Sequence, residues 1–551
     1  VCGNCSVGCN VRVDVRVDKL LRQYSRTNDD IDDGFLCDRG RWDTETVNSP
    51  DRLRTPLIRR NGQLQPASWE EALTLIAGRL RDIKGQHGSQ AIGGIGSTHT
   101  TNEEAYLFQK LLRAGLGTNN IDHYHGAFPT TERNALPWVW TDSIAGLEKA
   151  SHIVLIGADA YHRQPIVDLR IRKAIRGGAR VYVVTPEPNR LDRLAAGVIR
   201  YRAGQTTAVA RALLNVVTSE QLTRGAFAEQ RAASIATRGA SVAQDTPERA
   251  AEVAGVDATT LRELAREIAG AKGAVILYDE MATREPNAAT LAADLLDLAL
   301  LTDNYGRPGA GVGPLFEDNN SLGARDMGLL PDTLPGYRPV NDLAGRSALS
   351  IAWNAPIPAE PGKTYEQMLD GGVKALYVLG ANPAGHASVQ QLAKLEALDL
   401  LVVQDLFLTE TAQRATVVLP ALAYTEKDGS FTNTERCVQV VRQAMQPLPG
   451  AKADWEILLG LARALGLGWT YLSPAEILSE IGRTTPLYAG VTRRALGDKG
   501  ARWPLAAGER TAEGRATVTG SPYLTWQMIE QGVAPVSAQA GELVAPRGGG
   551  E

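Results

Sequence analysis

Four of the chain's five cysteines, Cys2, Cys5, Cys9 and Cys37, stand at its start with the spacing C-x2-C-x3-C-x27-C. That spacing limits what the opening segment can fold around. Three sulfurs close together and a fourth arriving alone suit a four-iron cube, which takes one thiolate per iron. A structural zinc site more typically gathers its ligands as two short pairs, and four buried thiols that ligate nothing are the third alternative. Gly3, Gly8, Gly34 and Gly40 flank the sulfurs, where tight turns aim backbone N–H groups at a negatively charged cluster. The segment is read as a [4Fe-4S] site on Cys2, Cys5, Cys9 and Cys37, which makes it a one-electron carrier. Cys437 has no partner in this pattern and is expected as a small buried apolar residue. So few cysteines in 551 residues favour a reducing compartment over a disulfide scaffold.

The rest of the chain alternates short apolar runs with helical periodicity. "AIGGIGS" at 91–97, "HIVLIGADA" at 152–160 and "ARVYVVTPEP" at 179–188 form one series, and "AVILYD" at 274–279, "VKALYVLGANPAG" at 373–385, "LDLLVVQDLF" at 398–407 and "ATVVLPAL" at 415–422 a second. Such alternation predicts parallel sheets covered on both faces. A strand pair turns at Asn61-Gly62, and Ser68 with Glu71 three residues on has the spacing of a helix-capping box. The expected organisation is a small lid over 1–66, an α/β body over 67–505 made of two interleaved units at about 91–270 and 271–505, and a loosely ordered Gly/Pro/Ala-rich tail over 506–551.

Lys and Arg number 58 against 62 Asp and Glu. That balance provides no basic field for nucleic acid or an anionic membrane. No apolar run approaches the roughly 20 residues needed to span a bilayer.

Several longer stretches carry a resemblance: "NNID" at 119–122, "QPIVDLRIRKAIRGGARVYVVTP" at 164–186, "LLTDNYGRPGAGVGPLFEDNNSLGARDMGLLPDTLPGY" at 300–337, "LGANPAG" at 379–385 and "VVLPALAYTEKDGSFTNTERCVQ" at 417–439. With the cysteines, they resemble the molybdopterin oxidoreductase superfamily, which includes formate dehydrogenases. The resemblance implies an α/β fold of a small N-terminal Fe–S lid and two doubly wound domains with a bis-pterin molybdenum cofactor between them. Gly380, Asn382 and Pro383 follow a strand at its carboxyl end, where open α/β sheets bind ligands.

Against that pattern, Phe128 and Pro129 occupy the positions at which the formate dehydrogenases carry the Cys or selenocysteine metal ligand and the following His, and Phe316 the position of a substrate-binding Arg. Arg39, in "CDRGR", stands where those enzymes carry a Lys between cluster and pterin. A kept cluster segment with a silenced metal site resembles the largest peripheral-arm component of the NADH-quinone oxidoreductase of respiratory chains, complex I. That resemblance implies an electron-transfer role with molybdopterin not expected and no catalytic residue in this chain. It implies other peripheral-arm subunits and a preceding ferredoxin-like Fe–S half as partners, and a peripheral place on the cytoplasmic face of a bacterial inner membrane. A formate dehydrogenase-like molybdenum oxidoreductase is the alternative. Arg39 and Arg41 are read as cations favouring the reduced cluster, "DDIDDG" at 29–34 as a solvated turn, and His99, His123 and His125 as polar loop residues.

Overall fold

In the computed structural model, residues 1–124, 139–510, 516–520 and 523–524 are described. Every strand expected from the apolar runs is present. They assemble into two main sheets. The larger has seven strands in the order Gln63–Pro66, Leu57–Arg60, Val417–Pro420, Leu400–Asp405, Ala375–Leu379, Ile92–Gly96 and Ile121–His123. Its last five strands run parallel, and Leu57–Arg60 joins antiparallel to Val417–Pro420. The smaller is wholly parallel, in the order Gly311–Leu315, Ala274–Asp279, His152–Ile156, Arg180–Val184 and Gly197–Ile199.

Both sheets are buried on both faces, which is why their strands read as unbroken apolar runs. In the larger sheet Tyr377, Leu400 and Val402 enter one core while Leu376, Leu401 and Val403 enter another. In the smaller, Val154, Ile156 and Ile276 face the first core, and Ile153, Leu155 and Val275 face the one that receives Cys2, Cys5 and Cys9. The period of two along each strand therefore separates the packing on one face from that on the other.

The two sheets interleave along the chain and do not divide at residue 270. Ala274–Asp279 pairs with His152–Ile156, and Ile92–Gly96 pairs with Ala375–Leu379, so each sheet draws strands from both halves of the chain. Strand order depends on long-range pairing that local periodicity does not encode. The boundary at 66 also shifts, because the hairpin Leu57–Arg60/Gln63–Pro66 belongs to the larger sheet. The stretch expected as a loose tail begins with a strand pair, Leu505–Arg510 against Ala516–Gly520.

Local signals hold where a neighbour does not compete for the side chain. Asn61 and Gly62 both take positive φ, 52° and 82°, as a two-residue hairpin turn needs. Ser68 Oγ accepts from Glu71 N at 3.1 Å and caps the helix Trp69–His87. The Glu71 carboxylate leaves the expected box and pairs with Arg60 on the adjoining hairpin. Among the described residues, no helix is long and apolar enough to cross a membrane.

Candidate cluster and cofactor site

The cysteine segment folds as a loop closed by Cys2 N donating to Cys9 O at 2.9 Å. Cys2, Cys5 and Cys9 are buried and Cys37 is partly exposed. Burial raises the Cys2 thiol, takes Cys5 to about 12 and pushes Cys9 well above the ordinary value. Like charge on the neighbouring sulfurs adds to this: Cys2 and Cys37 raise Cys5, and Cys5, Cys2 and Cys37 raise Cys9. All four sulfurs thus share one electrostatic environment. Among the described residues, no three His, Cys, Asp or Glu side chains converge as a group that could hold a metal ion.

Two glycines shape this environment. Gly40 N donates to Cys37 Sγ at 3.5 Å, and a Cβ added to Gly40 would stand 3.1 Å from Cys2 Sγ and 2.9 Å from Leu36 Cδ1. Gly40 therefore fills the gap between two of the sulfurs. Gly8 has φ +72°, and its missing Cβ would meet Gln439 Oε1 at 2.3 Å. Among the described residues no three cysteine side chains close on a single ion, but a cube takes one thiolate at each of four irons, and four soft sulfur donors, a backbone N–H aimed at one of them and a space closed to a side chain fit that group by their chemistry.

The floor under the loop is the hairpin Gly429–Thr432/Cys437–Val441, the "FTNTERCVQ" text of the sequence. Asn433 Nδ2 donates to Val7 O at 2.9 Å, Thr434 N to Ser6 O at 2.7 Å, and Gln439 Nε2 to Gly8 O at 3.0 Å. Cys437 is buried beside this floor, as expected of a small apolar residue. The acidic turn departs from expectation, because Asp32 is buried. Its carboxylate accepts from Asn10 N, Asn28 N and Gly34 N at 2.8, 3.1 and 3.0 Å, so it organises the stretch that brings Cys37 back to the other three. Arg39 is exposed and donates to the carbonyls of His162 and Arg163, each at 3.0 Å. It ties the cysteine segment to the end of the helix Ala160–Arg163, and its charge lowers the Cys5 thiol.

A cavity of about 380 Å³ opens beside the loop. Gly3 and Asn4 form one wall; Ser97, Gly380 and Asp405, at the carboxyl ends of three parallel strands, form another; His99, Asn319 and Lys427 lie between them. This is the crevice in which doubly wound sheets bind ligands. Of the "GANP" residues only Gly380 reaches it. Asn382 accepts from Thr411 N and Oγ1 at 3.1 and 2.8 Å and donates to Glu410 at 2.6 Å, which makes it a loop anchor. Asn319 is 2% exposed, and its Nδ2 has no hydrogen-bond partner among the described residues. A buried donor on a cavity wall, with crevice and polar rim, fits a polar cofactor such as a pterin.

His99 is half-exposed, with Nε2 3.3 Å from Asp318 Oδ1 and Nδ1 3.0 Å from Asn319 Oδ1. Loss of solvent would lower its pKa, but the Asp318 charge and the hydrogen bonds to Asp318 and Asn319 take it up to about 9. It is an imidazolium on the cavity wall, more than a bland loop residue. A folded pKa above the ordinary 6.5 makes its contribution to stability complete below pH 6.5, to be lost as pH rises through about 9. Thermal denaturation of His99→Gln beside the native chain should show a deficit at pH 6.5 that shrinks as pH rises and closes only above about pH 9; a deficit independent of pH would contradict the pairing.

Of the positions read as silenced, Phe128 and Pro129 lie outside the described residues, as does His125. His123 ends the edge strand, with Nδ1 2.7 Å from Leu329 O. Asn119 and Asn120 of "NNID" lock that edge through Pro358 O, Glu360 O, Gln90 O and Ile92 O. Phe316 is buried, and its carbonyl accepts from Ser6 Oγ at 2.7 Å and Gln164 Nε2 at 3.0 Å. Over its ring, 4.8 Å from the centroid, stands the guanidinium of Arg325, paired with Glu280 at 2.8 Å. A guanidinium is thus present beside position 316 although the residue there is apolar. Sequence reasoning passed over Arg325; a charged residue among the small and apolar ones of "SLGARDMG" was the available signal.

The profile of the molybdopterin oxidoreductase Fe4S4 domain matches residues 1–49, and that of molybdopterin oxidoreductase matches residues 52–464. The chain is 35% identical over 516 residues to F420-dependent formate dehydrogenase 1 subunit alpha of Methanococcus maripaludis, covering 92% of this chain and 76% of that protein. It is 34% identical over 524 residues to the probable oxidoreductase YjgC of Bacillus subtilis, covering 92% of this chain and 53% of that one. Among solved structures, acetylene hydratase from Pelobacter acetylenicus superposes with a TM-score of 0.71 at 20% identity, over 87% of this chain and 71% of that one. That last likeness concerns the fold alone.

Proposed function

Because the chain belongs to the molybdopterin oxidoreductase family, we propose that it is a formate dehydrogenase-like redox subunit, moving electrons between a pterin-bound metal in the crevice and a [4Fe-4S] cluster on Cys2, Cys5, Cys9 and Cys37. The observation that carries this reading is the cavity whose walls join the cysteine loop at Gly3 and Asn4 to the strand ends at Ser97, Gly380 and Asp405. The names of the relatives support the formate dehydrogenase type over the complex I component. When bound, a molybdenum or tungsten pterin supplies two-electron chemistry and the cluster takes electrons singly.

The chain's own residues act around these groups. The four cysteine sulfurs would hold the iron, Gly40 leaves the space between Cys2 and Cys37 free of a side chain, and the Gly429–Thr432/Cys437–Val441 hairpin fixes the loop against the crevice. Asn319 offers a donor to a polar ligand, and the His99 imidazolium, paired through both nitrogens with Asn319 and Asp318, adds positive charge beside it. Arg325, held by Glu280, supplies positive charge beside Phe316.

A second reading, the electron-transfer component of complex I, is favoured by Phe316 at the Arg position and by the burial of the Arg325–Glu280 pair. Under it the partners are other peripheral-arm subunits and a ferredoxin-like half, at the cytoplasmic face of the membrane, with no pterin required. Elemental analysis of purified protein separates the two. About four iron with stoichiometric molybdenum or tungsten, and dye reduction with formate, are expected on the first. Iron without either metal and without formate oxidation would overturn it in favour of the second.

A further inference from the structure

We propose that Asn4 couples the contents of the crevice to the electron affinity of the cluster, so that binding in the cavity and reduction of the iron each alter the other. This rests on the reading of Cys2, Cys5, Cys9 and Cys37 as cluster ligands and of the crevice as a pterin site.

Between Cys2 and Cys5 the chain holds only Gly3 and Asn4, and both line the cavity. Gly3 has no side chain to offer, so Asn4 presents the loop's only functional group there. Its Nδ2 lies 3.6 Å from Cys2 Sγ, a hydrogen-bond distance for a sulfur acceptor. Cys2 itself is buried, at 3% exposure, with Gly40 closing the space on its other side. One carboxamide therefore touches a cluster sulfur and forms part of the cavity wall.

An N–H donated to a ligating sulfur stabilises the more negative, reduced cluster and raises its potential. A carboxamide has two N–H donors and a carbonyl acceptor. A polar ligand that engages this carboxamide from the cavity changes how it meets Cys2 Sγ. Whatever binding does to the potential, reduction must do in equal measure to binding, since the coupling is reciprocal. Asn319 Nδ2, the donor without a partner on the cavity wall, belongs to the α/β body and bonds no cysteine, so it can hold a ligand without transmitting its presence.

The test is a redox titration followed by electron paramagnetic resonance, with the electron supplied by a reduced mediator. The full chain is prepared from a host that makes the pterin cofactor and from one that does not. In the native chain the midpoint should differ between the two preparations. In Asn4→Leu, which keeps the size and removes the donor, the midpoint should fall below the native value and the difference between preparations should vanish. Should leucine prevent cluster assembly, Asn4→Ala, which also lacks the donor, is read in the same way.

A variant that keeps the native midpoint or the full difference overturns the inference, as does a native chain whose two preparations have the same midpoint. Iron and pterin analysis of the native chain reads the underlying assignment separately. Iron and pterin present, with a midpoint indifferent to Asn4, would sink the coupling and leave the proposed function standing.

Discussion

Replacing Lys427 with methionine should destabilise the protein by about 3–5 kcal/mol, the usual consequence of stripping one partner from a buried ion pair. Lys427 Nζ lies 2.8 Å from Glu104 Oε2 and 2.5 Å from Asp454 Oδ2, and all three side chains are buried. The lysine thus sits between two carboxylates drawn from distant parts of the chain. Burial by itself would lower its pKa, and the Asp454 and Glu104 charges reverse this and raise it. Without the ammonium, two carboxylates face each other with little water to screen them. Denaturant unfolding of Lys427→Met should therefore show a much lower midpoint. Adding Glu104→Gln and Asp454→Asn, which removes the orphaned charges, should recover part of the loss. A Lys427→Met chain as stable as the native one would show that the triad is not held as described.

Gly40→Val should empty the cluster site while the α/β body stays folded. The added Cβ would press on Leu36 Cδ1 at 2.9 Å and on Cys2 Sγ at 3.1 Å, and valine's two further methyl groups would intrude on the space between Cys2 and Cys37. Iron should drop from about four per chain to below one, with the charge-transfer absorbance lost and the far-ultraviolet circular dichroism little changed. The effect should stay local, since both faces of the larger sheet and one face of the smaller pack into cores that hold no residue of the cysteine segment, and only the core shared by Cys2, Cys5, Cys9 and Leu36 meets Gly40. A Gly40→Val chain with native iron content would argue against a cluster shared between Cys2 and Cys37.

The candidate site was partly legible in the sequence, for residues whose role is set nearby. The cysteine spacing pointed to four sulfurs, the apolar runs marked seven strands of the two main sheets but not Ile121–His123, Gly197–Ile199 or Gly311–Leu315, and Asn61-Gly62 and Ser68 signalled a turn and a cap because backbone geometry within a few residues decides both. Glu71 shows how far this reaches: its spacing predicts a capping box, but Arg60 on an adjoining hairpin takes the carboxylate. Asp32 reads as one more solvated acid in "DDIDDG", yet the fold encloses it and turns three backbone N–H groups toward it.

By itself the sequence determined that the chain is an α/β protein with a sulfur-rich front end, because hydrophobic periodicity and ligand chemistry are local properties of the residues. Only the tertiary structure decided that Ala274–Asp279 lies beside His152–Ile156, that a hairpin near residue 435 supports a loop near residue 6, and that Arg325 stands over Phe316. Those relations depend on packing between residues more than a hundred positions apart in two cases and on the helix carrying Arg325 in the third. Burial free energy summed over the whole core, not the preference of any short stretch, selects them.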